Sequence, residues 1–235
     1  MTGQARQETQ ETWVRCEPDP PGDSEERPVD IHQTRIWVRA ITAAMDQNKD
    51  RLTQLDSAIG DADHGVNMQR GFTAVAAALD GYEPAGVGDV LVKTGTTLIS
   101  SVGGAAGPLY GTFFRAVGKQ LTGPVAEPAQ LAAAFEAGLA GVQKLGAAVP
   151  GDKTMVDALA PALAAFGAAI EDGQDVGVAA ERAATAAEAG AQETIALQAR
   201  KGRASYLGPR SIGHQDPGAT STALVFRALA EALTS

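Results

Sequence analysis

Residues 55–79 have the sequence LDSAIGDADHGVNMQRGFTAVAAAL, in which an acidic stretch containing two glycines leads directly into an amphipathic pattern. The second half places Met68, Phe72, Val75 and Leu79 at intervals of three and four residues. That spacing keeps apolar side chains on one face of an α-helix. The stretch therefore predicts a helix whose N-terminal end carries a cluster of polar side chains.

The same helical spacing recurs over most of the chain. It is shared by Trp37, Ile41 and Met45, by Leu131, Phe135, Leu139, Val142 and Leu145, and by Met155, Leu159, Leu163, Phe166 and Ile170. Pro161 is expected to bend or interrupt the third of these helices, because proline lacks the N–H that the helix needs. An alanine-rich stretch from Val178 is predicted to be helical up to Arg200-Lys201-Gly202, and a last helix to begin at Asp216-Pro217. No alternating strand of useful length is present, so the sequence predicts an all-α bundle of about eight helices.

The first 30 residues differ in composition from the rest of the chain. Four prolines are interspersed with aspartates and glutamates there. Such a segment has too little apolar surface to fold on its own. We therefore expect residues 1–30 to form a flexible acidic tail and residues 31–235 to form one helical domain.

Charge and cysteine content exclude several classes of protein. The formal net charge of −9 opposes nucleic-acid binding, which needs a basic face. Cys16 is the only cysteine, so no internal disulfide can form, which fits a reducing compartment. The chain begins with polar residues rather than a secretory signal, and it lacks a run of about 18 apolar residues that would predict a membrane span. We expect a cytoplasmic protein without nucleic-acid or membrane partners.

Three aspartates surround the two glycines of the acidic stretch. Asp61 and Asp63 are two residues apart, so on an extended loop their side chains point the same way. Asp56 can face them from the end of the preceding helix. Mg²⁺ prefers oxygen ligands and commonly shares them with substrate phosphates, so this loop is a candidate metal site. The alternative is a solvated acidic turn.

Two further stretches carry residue types that bind phosphate. Residues 100–111 (SSVGGAAGPLYG) allow close backbone approach, and a helix beginning at Gly107-Pro108 would present free N–H groups. Small residues there could instead serve tight helix contacts. Residues 200–210 contain four cations, of which Arg200 and Lys201 suit a helix C-terminus, whereas Arg203, beyond Gly202, is better placed to contact a phosphate. A cation loop, a glycine-rich phosphate loop and an arginine together indicate phosphoryl transfer.

Four runs carry a resemblance to a known family: residues 59–68 (IGDADHGVNM), 100–108 (SSVGGAAGP), 150–155 (PGDKTM) and 198–220. They resemble the nucleotide-binding L subunit of dihydroxyacetone kinases, from about Ile31 to the C-terminus. The resemblance implies a barrel of eight antiparallel helices with the nucleotide, ADP or ATP, at one end.

The resemblance also implies roles for individual residues. Two Mg²⁺ ions would be held by Asp56, Asp61 and Asp63, which with Arg203 would form the catalytic set. The nucleotide site would be lined by His64, Gly65, Val66, Asn67, Ala105, Ala106, Gly146, Met155, Arg203, Asp216, Pro217 and Gly218. Many family members carry serine where this chain has Ala106, so one side-chain contact to phosphate is absent here.

The family's L subunit performs half of a reaction. It passes the γ-phosphate of the nucleotide to dihydroxyacetone, which a histidine of a separate K subunit holds covalently, to give dihydroxyacetone phosphate. In phosphoenolpyruvate-dependent systems a phosphohistidine M subunit rephosphorylates the bound ADP, and we favour that interpretation here. The alternatives are an L subunit of an ATP-dependent triose or tetrose kinase, a non-catalytic nucleotide-sensing regulatory subunit, and a zinc hydrolase using His64, His214 and the aspartates. A homodimer is an open alternative for the oligomeric state.

Overall fold

Nine α-helices make up most of residues 28–234, the part of the chain that the computed structural model describes. They are α1 (Ile31–Gln47), α2 (Lys49–Ile59), α3 (His64–Leu79), α4 (Val87–Ser101), α5 (Ala106–Gln120), α6 (Pro128–Gly146), α7 (Val156–Glu171), α8 (Val176–Glu193) and α9 (Pro217–Thr234). Two short strands, β1 (Val29–Asp30) and β2 (Val125–Ala126), pair antiparallel. The prediction of an all-α fold is confirmed.

Eight of these helices, all except α2, form a closed ring. Each helix from α3 to α8 packs against the next one in the chain, and α1 closes the ring by packing against both α9 and α3. Mostly short connections make consecutive helices alternate in direction, so the predicted barrel of antiparallel helices is confirmed. One consequence matters for the site: the N-terminal ends of α3, α5, α7 and α9 all lie at the same end of the barrel.

Aromatic rings fill the interior of the ring of helices. The Trp37 ring lies 5.7 Å from Phe114 and 6.1 Å from Phe135, and Phe135 also meets Phe166 and Phe226 edge-on. Edge-on aromatic contacts add about 0.5–1.5 kcal/mol each beyond the burial of their area. The Trp37 indole N–H donates to the carbonyl of Val225 on α9 at 3.0 Å, so its polar atom is also satisfied. This core fixes the helix ends from which the loops at the site extend.

Two helix boundaries differ from the sequence predictions, and the proline inside α7 does not interrupt its helix. Helix α8 ends at Glu193 instead of continuing to Arg200, and the chain passes into a 3₁₀ turn at Thr194–Ala196. Pro161 lies inside α7 without interrupting it; the carbonyl of Asp157 that it leaves without a helical partner faces Gly190 of α8 at close range. Helix α5 begins at Ala106, so the proline at position 108 lies inside its first turn, where a missing N–H leaves no helical bond unmade.

The folded part of the chain begins before Ile31. Val29 is only 4% exposed and pairs with Ala126, and Asp30 caps α1 by accepting a 2.7 Å hydrogen bond from the Gln33 N–H. The predicted tail therefore extends too far by at least these two residues. The remainder of that prediction, for residues 1–27, falls outside the described residues. Within residues 28–234, no helix is both long and apolar enough to cross a bilayer.

Candidate functional site

A cavity of about 300 Å³ lies at the end of the barrel where the N-termini of α3, α5, α7 and α9 meet. Its lining includes the first residues of all four helices: His64, Ala106, Val156 and Pro217. A helix N-terminus carries unpaired N–H groups and a partial positive charge, and both favour anions. The up-and-down topology therefore directs four such ends toward one space, which suits a multiply charged anionic ligand.

The acidic stretch between α2 and α3 forms one wall of this cavity. Asp56, at the end of α2, accepts hydrogen bonds through Oδ2 from the backbone N–H groups of Asp63 and His64, at 2.9 and 3.1 Å. Gly60 is required here, because a Cβ at this position would lie 2.0 Å from Oδ1 of Asp56. Ala62 adopts a left-handed conformation with φ of 61°, a strained geometry of the kind that tight functional loops retain.

The three aspartates of the predicted metal site come together in this loop. Carboxylate oxygens of Asp56, Asp61 and Asp63 all lie within 4.8 Å of one another, and within residues 28–234 no other group of histidine, cysteine or acidic side chains converges in this way. The geometry fits Mg²⁺, since the donors are all carboxylate oxygens and one of them is buried and already oriented.

Arg203 reaches the same loop from the segment between α8 and α9. Its guanidinium forms an ion pair with Asp61 at 2.9 Å, although its side chain is 67% exposed. We call residues 194–216 the arm; it consists of 3₁₀ turns and irregular backbone, and it also contributes Lys201 and Asp216 to the cavity. The sequence could not place this arm, because its position depends on contacts with distant loops.

A chain of hydroxyl groups orients His64. The imidazole Nε2 lies 2.8 Å from Oγ of Ser221, which lies 2.7 Å from the hydroxyl of Tyr110, and that hydroxyl lies 2.8 Å from Oγ1 of Thr222. Burial lowers the pKa of His64, against the opposing effect of Asp56 and Asp63, and burial raises the pKa of Tyr110. Both side chains are therefore neutral near pH 7. The sequence prediction missed Tyr110 and Ser221, although the tyrosine closes the glycine-rich motif and the serine follows the Asp216-Pro217 helix start.

The glycine-rich loop faces the acidic loop across the cavity. Gly104 has φ of 64°, and α5 begins at Ala106 with no side chain capping its free N–H groups. Asn67 lies beside this loop, and its amide oxygen accepts a 2.8 Å hydrogen bond from Arg70. The amide nitrogen of Asn67 is therefore left as the donor group available to a ligand.

The remaining side of the cavity, away from the acidic and glycine-rich loops, is apolar. It is formed by Leu109, Val142, Ala148, Met155 and Val156, with Gly146 at the end of α6. A cavity with one polar, cation-binding wall and one apolar wall suits a ligand that joins phosphates to a flat, apolar ring system.

Two charged residues are buried beside this apolar side. Burial raises the pKa of Asp216 to about 7, against the hydrogen bond that its carboxylate accepts from the Ala219 N–H at 2.7 Å. That bond caps α9, as the sequence predicts for an aspartate before a first-turn proline. Lys153 is 1% exposed, and burial lowers its pKa while Asp216 and Asp157 oppose that shift. No local sequence pattern indicates a role for Lys153.

Two predicted lining residues do not line the cavity. Gly65 packs against α2, where a Cβ would lie 2.0 Å from the carbonyl of Lys49, and the side chain of Val66 is 47% exposed on the outer surface. His214 is also exposed and lies outside the metal cluster, so the ligand set of the zinc hydrolase is not assembled. The other predicted site residues all line the cavity.

Comparison with known families identifies this architecture. The profile of the DAK2 domain matches residues 58–231, which include the acidic loop, the glycine-rich loop and the arm. The chain belongs to the DAK2 domain family. Residues 31–57 precede the matched region. They form α1 and most of α2, and they include Asp56.

Curated relatives extend the match to nearly the whole domain. The ADP-binding subunit DhaL of the PEP-dependent dihydroxyacetone kinase of Escherichia coli (strain K12) is 47% identical over 203 residues, which are 85% of this chain and 97% of the relative. The ADP-binding subunit DhaL of PEP-dependent dihydroxyacetone kinase 1 of Listeria innocua is 44% identical over 193 residues, which are 82% of this chain and 92% of the relative.

A solved structure shares the fold of this DAK2 domain. The dihydroxyacetone kinase from C. freundii, in complex with AMP-PNP and Mg²⁺, superposes with a TM-score of 0.67 at 28% identity. The similarity covers 95% of this chain and 38% of that one, so the DAK2 domain corresponds to a part of a longer kinase.

Proposed function

We propose that this protein is the ADP-binding subunit of a dihydroxyacetone kinase, a phosphotransferase subunit that works with a partner carrying the ketone. The observation that carries the proposal is the convergence of three carboxylates within 4.8 Å, facing four helix N-termini, with one of the three, Asp61, paired with Arg203. The relatives named as ADP-binding subunits of such kinases, at 47% and 44% identity, support the same assignment.

The residues present fit both a nucleotide and Mg²⁺. Asp56, Asp61 and Asp63 would hold two Mg²⁺ ions, which would neutralise the oxygens of the nucleotide's phosphates. The backbone N–H groups around Ala105 and Ala106 would receive the phosphates, and the apolar side at Met155 would receive the base. The alanine at position 106 leaves only its backbone to contact phosphate there.

The chain's own side chains then have distinct tasks. Asp56 is fixed by two backbone N–H groups, so its carboxylate needs no reorganisation to bind a cation. Arg203 offers a planar, permanently charged donor group to an anion that develops charge beside Asp61. Neutral His64, held by Ser221, adds a donor or acceptor without adding charge.

A partner must present the sugar. Of the cavity side chains that could hold a small ketone covalently, His64 is hydrogen-bonded to Ser221 and Lys153 is buried among carbonyl groups, which leaves the half-buried Lys201 of the arm. A ligand as small as dihydroxyacetone also has few atoms with which to bind. We propose that a K subunit holds it against the cavity and that a phosphohistidine M subunit restores the nucleotide, since both relatives above belong to PEP-dependent kinases.

A second candidate is the ATP-dependent version of the same reaction. It is favoured by the C. freundii kinase, whose solved complex contains AMP-PNP, an analogue of ATP. Mass spectrometry of nucleotide retained by the purified protein separates the two. Tightly held ADP supports the PEP-dependent relay, whereas a nucleotide-free protein that turns over added ATP with a K subunit supports the second candidate.

Reconstitution tests the proposed function itself. The protein is assayed for dihydroxyacetone phosphate with Mg²⁺ and ATP, first alone and then with a K subunit, and separately with K and M subunits and a phosphoenolpyruvate source. We expect product only when a K subunit is present. Product from the isolated chain would refute the partner requirement, and nucleotide binding without product under every condition would indicate a sensing subunit.

A further inference from the structure

The arm that carries Arg203 is joined across its two limbs by three hydrogen bonds of its own, from the N–H groups of Gly213, Ala199 and Asp216 to Ile195, Ser211 and Thr194. It is the longest connection between helices in residues 28–234, and it contains three glycines with positive φ, at positions 202, 208 and 213. Arg203 lies on its exposed part, yet its guanidinium lies 2.9 Å from Asp61 in the cation loop. Those bonds lie near the base of the arm, and Arg203 lies beyond them in the chain.

The ammonium group of Lys153 occupies the interior of the arm. Its Nζ donates to the carbonyl oxygens of Thr194 at 2.7 Å, Ser211 at 2.8 Å and Leu197 at 3.1 Å, and the carbonyl of His214 is 2.5 Å away. Two of these carbonyls precede Arg203 in the chain and two follow it. One cation therefore draws both limbs of the arm together, with Arg203 between them.

Lys153 is costly to place there, which argues against an incidental contact. It adopts a left-handed conformation with φ of 62°, and its side chain is 1% exposed, with no carboxylate of residues 28–234 within ion-pair distance. A buried ammonium is tolerated only where its donors are satisfied, here by carbonyl oxygens. Hydrogen bonds besides those of the lysine also involve the arm. The N–H of Arg200 donates to the carbonyl of Asp152, next to Lys153, and Oγ of Ser211 accepts from the N–H of Ala199, which joins the two limbs of the arm.

We infer that Lys153 is a positioning residue, whose ammonium closes the arm into a loop that holds Arg203 against the cation-binding aspartates. Lys153 and the next two residues along the chain, Thr154 and Met155, all line the cavity, so the same short loop borders the cavity and anchors the arm. The catalytic consequence rests on the proposed function; the effect of Lys153 on the arm does not.

The first test measures the arm directly. Lys153→Met removes the ammonium, and Lys119→Met removes an exposed lysine on α5 as a matched control. Hydrogen exchange of the full-length proteins, read by mass spectrometry, should show at least about tenfold faster exchange in peptides covering residues 194–216 of the Lys153 variant. Peptides from α1 and α4 should be unchanged, and the control should match the parent protein. Unchanged exchange in the arm would overturn the inference.

The second test asks whether Lys153 acts through Arg203. With a K subunit and Mg²⁺-nucleotide, Lys153→Met should lower kcat about 100-fold, as expected for a misplaced catalytic group, while KM for nucleotide changes only a few-fold. In an Arg203→Ala background the same substitution should have little additional effect, because residues that act as a unit are not additive. Full, additive losses in the double variant would show that Lys153 does not work through Arg203.

A milder variant covers the case in which Lys153→Met does not fold. Ser211→Ala removes the side-chain bond to Ala199 and leaves the lysine and the cavity lining intact. It should speed exchange in the arm and lower kcat in the same direction by a smaller factor, and a loosened arm with normal kcat would overturn the inference. If the parent protein transfers no phosphoryl group with any K subunit, the proposed function fails, and arm exchange in the variants still decides the role of Lys153.

Discussion

Replacing Asp63 by asparagine should stabilise the metal-free protein while weakening its response to Mg²⁺. The three carboxylates lie within 4.8 Å of one another, and only Asp61 has an ion-pair partner among residues 28–234. Asparagine keeps the size of the side chain, and the backbone N–H of residue 63 still donates to Asp56. The substitution therefore removes one negative charge from the cluster with little change in packing.

The size of the effect follows from the separation of the charges. Two unit charges 4.8 Å apart repel by about 0.9 kcal/mol at the dielectric constant of water and by about 3.5 kcal/mol at an effective value of about 20. Because Asp61 and Asp63 are exposed, we use the lower figure, which gives about 1–2 kcal/mol for the two pairs that include Asp63. Asp63 also lies at the N-terminus of α3, where a carboxylate is favourable by about 0.3–1 kcal/mol, so the net gain is about 1 kcal/mol. For a domain of this size that corresponds to a rise in Tm of about 2–4 °C in EDTA.

The response to Mg²⁺ should change in the opposite direction. A ligand at 100 times its Kd stabilises the folded state by about 2.7 kcal/mol, and a tenfold loss of affinity reduces that gain to about 1.4 kcal/mol. Scanning calorimetry of both proteins in EDTA and in Mg²⁺ with ADP measures the two effects together. Asp80→Asn, at the far end of α3, is the control and should leave the Mg²⁺ response unchanged.

Two results would refute this reasoning. If Asp63→Asn has the same Tm as the parent protein in EDTA, or a lower one, the carboxylates do not repel one another as the geometry requires. If it keeps the full gain from Mg²⁺, Asp63 is not a ligand and the acidic loop is a solvated turn.

Three further outcomes can be checked by simple measurements. A truncated protein that begins at residue 28 should melt within a few degrees of the full chain, whereas one that begins at Ile31 loses buried Val29 and the cap on α1 and should melt about 5–15 °C lower by calorimetry. Arg203→Lys should lower kcat with a K subunit at least about tenfold, because the planar guanidinium is lost while the charge remains; near-normal kcat would leave Arg203 a structural role. Burial raises the pKa of Asp216 from 3.8 to about 7, so the folded state retains a proton that the unfolded chain loses, and the free energy of unfolding should fall as pH rises through that window. Asp216→Asn should flatten that part of the urea-unfolding profile by up to about 1.4 kcal/mol per pH unit, and equal slopes in both proteins would contradict the assignment.

The helices were predictable because their signals are local. Met68, Phe72 and Val75 lie on one face at the expected spacing, and all three are fully buried. The N-cap at Asp216 was predictable for the same reason, since it depends on residues three positions apart. The acidic loop was predictable as a cluster because its three aspartates are close in sequence.

The end of α8 and the course of the arm could not be predicted in this way. Helix α8 ends at Glu193, and in the arm that follows, a lysine 41 residues earlier in the chain donates to the carbonyl of Thr194. Likewise, Ser221 meets His64 across 157 residues of sequence. Such contacts are set by packing of the whole barrel, and no periodicity in a single segment encodes them.

The topology explains why the chemistry collects at one end of the barrel. Consecutive helices alternate in direction, so every second helix begins at the same end, and the loops that precede α3, α5, α7 and α9 converge there. Four partial positive charges then face one cavity, which would repel a cation unless carboxylates were supplied. The loop before α3 supplies three of them, and the arm before α9 supplies the arginine that pairs with one. A nucleotide with its Mg²⁺ brings both signs of charge at once, and this arrangement of helix ends, carboxylates and arginine is complementary to both.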